Sequence, residues 1–241
     1  MHDPIWTLSG ESDCVRCPMR KLSIFAGLSI TDLSDLGMDV KDIHLPAGAE
    51  LYRQGESASY AFTLRSGAIK LSVQKNGQPG PRIVRLLRDG DLLGFEGLGQ
   101  ARQRYQHTAT ALAASDLCLL DLATLNHLSE NLPKIRQALL ERWQRALEDA
   151  ELHLAETGSG KAESSVAAFL CQWCRVFPDG SLVAFPMERK DLASYLGLSS
   201  AHVSRIMAEF KRQGYVKESG NRIRIERLPL LRITGGLEPK V

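Results

Sequence analysis

Five cysteines, at positions 14, 17, 118, 171 and 174, are the residues best suited to chemistry in this 241-residue chain. Cys14 and Cys17 belong to a Cys-x-x-Cys-Pro string in a polar segment, where packing gives no reason for two thiols three residues apart. That spacing suits a dithiol switch or a pair of metal ligands. Cys118 lies in the apolar run Asp116-Leu-Cys-Leu-Leu-Asp121, where a thiol can equally serve as a small hydrophobe. Cys171 and Cys174 share a helical face with Val166 and Leu170 and are expected in a core. An odd number of cysteines argues against a secreted disulfide framework and for a reducing compartment, the cytoplasm. The N-terminus Met-His-Asp-Pro-Ile-Trp lacks a basic stretch followed by an apolar run, and no segment approaches the roughly 18 apolar residues of a membrane span.

A second constellation sits near the C-terminus. Between Glu188 and Phe210, apolar Leu192, Ala193 and Leu196 recur at helical spacing before Gly197; Val203, Ile206, Met207 and Phe210 resume it after Ser199 or Ser200, either a suitable N-cap. On the second helix Ser200, Ala201, Ser204 and Arg205 fall opposite the apolar stripe, with His202 beside them. Short side chains there let the backbone approach base edges, and Arg205 can reach guanine or phosphate. The pattern also allows a plain αα-hairpin, but a second motif comes after it. Two alternating runs flank Ser219-Gly220-Asn221, the signature of a β-hairpin. Helix, turn, helix and hairpin make a winged helix. The net charge of +2 is too small for a general polyanion binder. Local basic excess, including Arg189, Lys211 and Arg212, would therefore supply the phosphate contacts.

These residues need elements to hold them. A 44% hydrophobic, 24% charged chain of this length suits two globular domains. Residues 1–28 show little periodicity and read as a cysteine-containing sensory arm, followed by a short helix over Ile30–Leu36. Residues 29–128 otherwise read as a jelly roll: period-two runs at 42–46, 50–53, 61–65, 68–73, 82–87, 108–112 and 117–121 alternate with glycine turns. Residues 129–157 form a long helix, about 36 Å over Leu132–Ala155, with an apolar stripe of Ile135, Leu139, Trp143, Ala146 and Ala150. A small domain cannot cover that length alone, so the stripe is expected to pair with a second copy of the chain; packing along its own domain is the alternative. Thr157-Gly-Ser-Gly160 then breaks the helix as a hinge, and residues 158–241 form the winged-helix domain, opening with a helix over Ala162–Phe177. The fold class is α+β.

Jelly roll, long helix, hinge and winged helix, in that order over nearly the whole chain, resemble the CRP/FNR family of bacterial transcription regulators. The strings Leu45-Pro-Ala-Gly-Ala-Glu-Leu-Tyr-Arg-Gln-Gly-Glu56, Arg65-Ser-Gly-Ala-Ile-Lys-Leu71 and Gly90-Asp-Leu-Leu-Gly-Phe-Glu-Gly97 are similar to the family's roll. The resemblance implies a cyclic-nucleotide-binding-like effector domain, a homodimer on a two-fold symmetric operator in duplex DNA, and contact with RNA polymerase through the turn Lys75–Pro81. Members that bind cyclic AMP carry an acidic residue in Gly-Glu-Leu and an Arg-Ser pair shortly after it. Here Gly94-Phe-Glu-Gly97 is followed by Arg102-Gln-Arg-Tyr-Gln-His107, with no such pair, so cyclic AMP is not the expected effector.

The FNR branch holds a 4Fe–4S cluster on an N-terminal cysteine group and one roll-strand cysteine, and Cys14, Cys17 and Cys118 match three of those ligands. Ser23 stands where the last arm cysteine belongs, which leaves the fourth ligand open among Asp13, Asp3, His2 or an exogenous thiol. Heme, with His44, His107, His127 or His153 as ligand, is the competing cofactor and would make the chain a gas sensor; a small organic ligand of the roll is a further option. The branch's reading helix carries Glu-x-x-Ser-Arg. Ser204 and Arg205 match it, whereas Ala201 replaces the glutamate that would accept a hydrogen bond from cytosine. No nucleophile-base pair or phosphate loop marks the chain as an enzyme.

Overall fold

A period of two places alternate side chains on one face, and the N-terminal runs accordingly pair as strands. The computed structural model describes residues 7–11, 14, 16–29, 31–32, 40–75, 77, 80–96, 98–99, 103–159, 161–174 and 182–237. Among these, the first unit contains β1 (Thr7–Glu11), β2 (Val40–Leu45), β3 (Glu50–Tyr52), β4 (Tyr60–Ser66), β5 (Ile69–Val73), β6 (Arg82–Leu87), β7 (Leu92–Leu93), β8 (Thr108–Ala111) and β9 (Ser115–Asp121). They form two antiparallel sheets in the orders β1-β2-β9-β4-β7 and β3-β8-β5-β6. Ile43, Leu45, Leu64, Ile69, Leu71 and Leu117 are fully buried in one core, which closes the jelly roll.

The segment expected as an arm belongs to this roll. β1 pairs along β2, a 3-10 turn spans Pro18–Leu22, and Ile24, Phe25 and Leu28 are buried in the roll's core. Turns and bends present apolar side chains at irregular intervals, which is why periodicity does not reveal them. Most of the helix expected at Ile30–Leu36 lies outside the described residues; Thr31 and Asp32 are helical.

β9 runs directly into α1 (Leu122–Asn131), a helix that periodicity alone merges with its longer successor. Asp121 ends the strand and caps the helix by accepting from Thr124 N at 2.9 Å. α2 (Pro133–Ser159) then begins with proline in its first turn, where the missing N–H costs nothing. The stripe assigned to a second copy is divided differently by the structure. Ile135 and Leu139, 0% and 2% exposed, point into the roll's own core, while Ala146 and Ala150 are half-buried. The large exposed apolar residues along the same part of the helix are Leu140, Trp143 and Leu147. Spacing alone merges two adjacent stripes, because it records that a face is apolar and not what covers it.

α2 continues through Gly158 to Ser159, so the break expected at Thr157 falls later; Gly160 lies outside the described residues. The chain divides into compact units Met1–Asp149 and Ala150–Val241. In the second, α3 (Ala162–Trp173) ends at Cys174 rather than Phe177, and β10 (Val183–Ala184), α4 (Arg189–Leu196), α5 (Ser200–Arg212), β11 (Val216–Ser219), β12 (Arg222–Ile225) and α6 (Leu228–Thr234) complete a winged helix with sheet order β10-β12-β11.

Because Leu139 is a core residue, Leu139→Ala should lower the unfolding free energy by about 2–5 kcal/mol in urea denaturation. A loss below about 1 kcal/mol would place that side chain outside the core.

Candidate functional site

Two places in the molecule gather the residues singled out by chemistry. The first is the helix-turn-helix. α4 starts with a reciprocal capping box between Glu188 and Asp191, which satisfies backbone N–H groups that the helix itself leaves open. It ends at Gly197, whose φ of 69° and ψ of 28° are left-handed and allow the sharp turn that a side chain would oppose. Ser199 then caps α5, accepting from His202 N at 3.2 Å. Val203, Ile206, Met207 and Phe210 are buried beneath α5, whereas Ser200, Ala201, Ser204 and Arg205 are exposed on its other side and His202 is half-buried. The face expected to read bases is the face presented.

The surrounding cations are organised by a residue that the sequence does not announce. Glu218 on β11, with only 14% of its side chain exposed, binds Arg189 at 2.5 Å and Lys211 at 3.5 Å. It thereby ties the start of α4 and the end of α5 to the wing. Arg212 pairs with Glu209 at 2.6 Å on α5 itself. Arg205 is in no ion pair among the described residues, so its guanidinium is available to a ligand. Nothing in the spacing links position 218 to positions 189 and 211; only the folded hairpin brings them together.

The second place is a thiol pocket. β9 lies between β2 and β4, and its register sets Cys118 opposite Asp42 on one side and Thr63 on the other. The N-terminal segment covers this part of the sheet. Cys14 and Cys17 from the segment join Cys118 around a pocket of about 30 Å³, with Arg20, Ser23 and Arg65 among its other walls. Three cysteines distant in sequence thus line one small space. The Cys118 sulfur donates to Asp42 Oδ1 at 3.8 Å. Arg65 pairs with Asp42 and also interacts with the Cys118 sulfur, so a guanidinium stands ready to stabilise a thiolate there.

This arrangement does not fit a 4Fe–4S cluster. About 30 Å³ is room for one or two water molecules. No three histidine, cysteine or carboxylate side chains among the described residues are grouped so that they could hold a metal ion. Ser23, at the position of the fourth thiolate, donates to Arg20 O and accepts from Phe25 N, which commits its hydroxyl to the local turn. Asp13, Asp3 and His2 lie outside the described residues.

The histidines considered for heme are dispersed. His44 binds Asp116 at 2.8 Å and holds that carboxyl below its usual range. His127 lies against Asn131, and His153 stacks on Tyr195. His107 stands 4.0 Å from Glu96 inside the roll, and burial pushes its ring toward the neutral form. Arg85 approaches the same Glu96 at 3.8 Å, so that interior region carries its own charges. Arg102 lies outside the described residues.

A jelly roll joined by a long helix to a winged helix, with one face of α5 open, defines a DNA-binding transcription regulator with a separate effector domain. Residues 165–233 match the Crp-like helix-turn-helix domain and residues 42–131 the cyclic nucleotide-binding domain. The chain thus carries the two domains that CRP/FNR-type regulators combine, in the same order, and is similar to such regulators over most of its length. It is 28% identical over 233 residues to the transcriptional activator protein FnrA of Stutzerimonas stutzeri, covering 94% of each chain. It is also 28% identical over 216 residues to electron transport regulator A of Shewanella oneidensis, covering 87% of this chain and 85% of that one. The structure of FixK2 from Bradyrhizobium japonicum shares the fold, with a TM-score of 0.73 and 24% identity over 81% of this chain and 96% of the other.

All five cysteines are free thiols, four of them half-buried and Cys174 buried. Burial pushes Cys171 up to about 11 and Cys174 up to about 12, leaving almost no thiolate near neutrality. Iodoacetamide at pH 7 should therefore modify the pocket cysteines before Cys171 and Cys174, as followed by peptide mass spectrometry. Equal rates at all five would contradict the burial of the C-terminal pair.

Proposed function

We propose that this chain is a homodimeric transcription regulator of the cytoplasm that responds to oxygen or redox state through Cys14, Cys17 and Cys118 and catalyses no reaction of its own. The observation that carries the signal is the convergence of those three thiols on one pocket beside Arg65. A thiol route needs neither a fourth ligand nor the space of a cluster. With hydrogen peroxide as oxidant, the Cys118 thiolate attacks one peroxide oxygen to give a sulfenic acid and release water, and a second pocket thiol displaces water from it to form a disulfide. Two thiols lose two electrons and two protons, and the peroxide becomes two waters. The names of the relatives, an activator and an electron transport regulator, support a role in respiratory gene control. No helix among the described residues is long and apolar enough to cross a membrane.

On the DNA side, Leu140, Trp143 and Leu147 supply the face for a second copy, since three large apolar side chains exposed on successive turns gain most by mutual burial. The dimer sets two α5 helices about 34 Å apart, one per major groove of a two-fold symmetric operator. Ser204 and Arg205 read bases, with Arg205 bidentate to guanine, while Ser200, Ala201 and His202 approach the groove wall. Ala201 has no carboxylate to accept from cytosine, so that base pair is read loosely. Arg189, Lys211 and Arg212 contact phosphates, for which Glu218 and Glu209 must give way. The turn between β5 and β6 offers RNA polymerase a surface; its Asn76, Gln78 and Pro79 lie outside the described residues.

Footprinting on selected duplexes should show a dyad-related protected site whose occupancy differs between dithiothreitol- and peroxide-treated protein. Cys118→Ser should abolish that difference with the fold intact. Arg205→Ala should relax base preference by about 1–3 kcal/mol at one position, whereas Lys211→Ala should weaken all sequences alike. A redox response that survives Cys118→Ser overturns the thiol assignment. So does a broad blue absorption band or a Soret band in protein purified without oxygen.

A further inference from the structure

Beside the Pro18–Leu22 turn lies a second, larger cleft of about 440 Å³, walled by the N-terminal segment, the turn before β7 and the first half of α2. Its volume is that of a small-molecule site. Four cations line it: Lys21 from the segment, and Lys134, Arg142 and Arg145 from the helix. Among the described residues none of the four is in an ion pair. Asp89, Asp91 and Glu141 also line the cleft. Two of these carboxylates are occupied locally: Asp91 accepts from Arg88 N at 2.9 Å in its own turn, and Glu141 accepts from Gln137 at 3.2 Å along the helix.

The walls are held together. Arg142 donates to Leu22 O, fastening the helix to the segment. Gly90, whose φ of 92° opposes a side chain, packs closely on the segment: a Cβ there would lie 3.0 Å from Leu22 Cβ. Arg142 is half-buried, and burial and then the like charge of Arg145 disfavour its charged form, outweighing the attraction of Asp91 and Glu141. Two guanidiniums that repel each other along one wall of a cleft are relieved by an anion bound beside them.

The cleft is compatible with a dimer. At about 100° per residue, the direction of Lys134, Ala138, Glu141 and Arg145 on α2 lies roughly 160° from that of Leu140, Trp143 and Leu147. A second copy seated on the apolar face would leave the cationic face open.

We propose that this cleft binds a small soluble anion carrying two or more phosphate or carboxylate groups, held by Lys21, Lys134, Arg142 and Arg145. Such a ligand would brace the N-terminal segment against the long helix. It would therefore act on the element that links the thiol pocket to the dimer face, as a second input beside redox state. The binding itself does not depend on the redox reading.

Isothermal titration calorimetry on the full chain, with tripolyphosphate and citrate as separate probes at matched ionic strength, tests this. Saturable binding of one probe molecule per chain is expected. Lys134→Gln combined with Arg145→Gln should weaken it about tenfold, the scale of losing one or two exposed charge contacts, and these side chains make no described bond whose loss would unfold the protein. Preference for tripolyphosphate assigns phosphate chemistry, and preference for citrate assigns carboxylate chemistry. Absence of saturable heat with either probe overturns the proposal. So does equal binding by the double variant, or binding displaced by operator DNA, which would place the anion on the winged helix instead.

Discussion

The rotation of α2 about its own axis is fixed by two side chains, Ile135 and Leu139, inserted into the core of the roll. Burying them to within 2% of completion leaves the helix one orientation, because any turn about its axis would expose both to water. Every other face of the helix is then assigned. Leu140, Trp143 and Leu147 are directed outward, and Lys134, Arg142 and Arg145 are directed toward the N-terminal segment. Trp143 is steadied by its contact with Phe95 at 5.5 Å, so even the outward face retains one anchor on the roll. One helix thus serves as core and as wall, and keeps a third, apolar face outward.

Much of the architecture could be read directly from the residues. Seven strands, the long helix, the two helices around Gly197 and the hairpin around Gly220 are all visible in periodicity and turn chemistry, since each is decided by neighbours in sequence. The illegible elements depend on distant partners. β1 is an edge strand with no alternating core face of its own, defined by its pairing to β2. β7 and β10 are two residues each, too short to show a period. α1 succeeds a strand without an intervening loop, so its start is visible only as the capping role of Asp121. The division of the α2 stripe, likewise, is a property of the surfaces that pack against it.

The candidate sites show the same split. The reading face of α5 is legible because an amphipathic helix declares its buried side and, by exclusion, its free one. The meeting of Cys14 and Cys17 with Cys118 is suggested by resemblance to the FNR branch, and the structure brings them to one pocket. The resemblance does not reveal how small that pocket is, nor that Arg65 lines it and Asp42 holds both Arg65 and the Cys118 thiol. These come from the sheet: Asp42 and Thr63 flank Cys118 on neighbouring strands, and Arg65, at the register shift after Leu64, lines the same pocket as Thr63.

The carboxylate of Glu218 gives the winged helix a property that its helices would lack alone. By holding Arg189 and Lys211 at once, it straps both ends of the helix pair to the hairpin. Two long side chains that would otherwise sample many rotamers are already ordered before any partner arrives. The entropy of arranging them is lost during folding rather than at the encounter, so the domain meets its target as a pre-organised body. In the proposed role, association with DNA would exchange one anion for another at cations that are already in place.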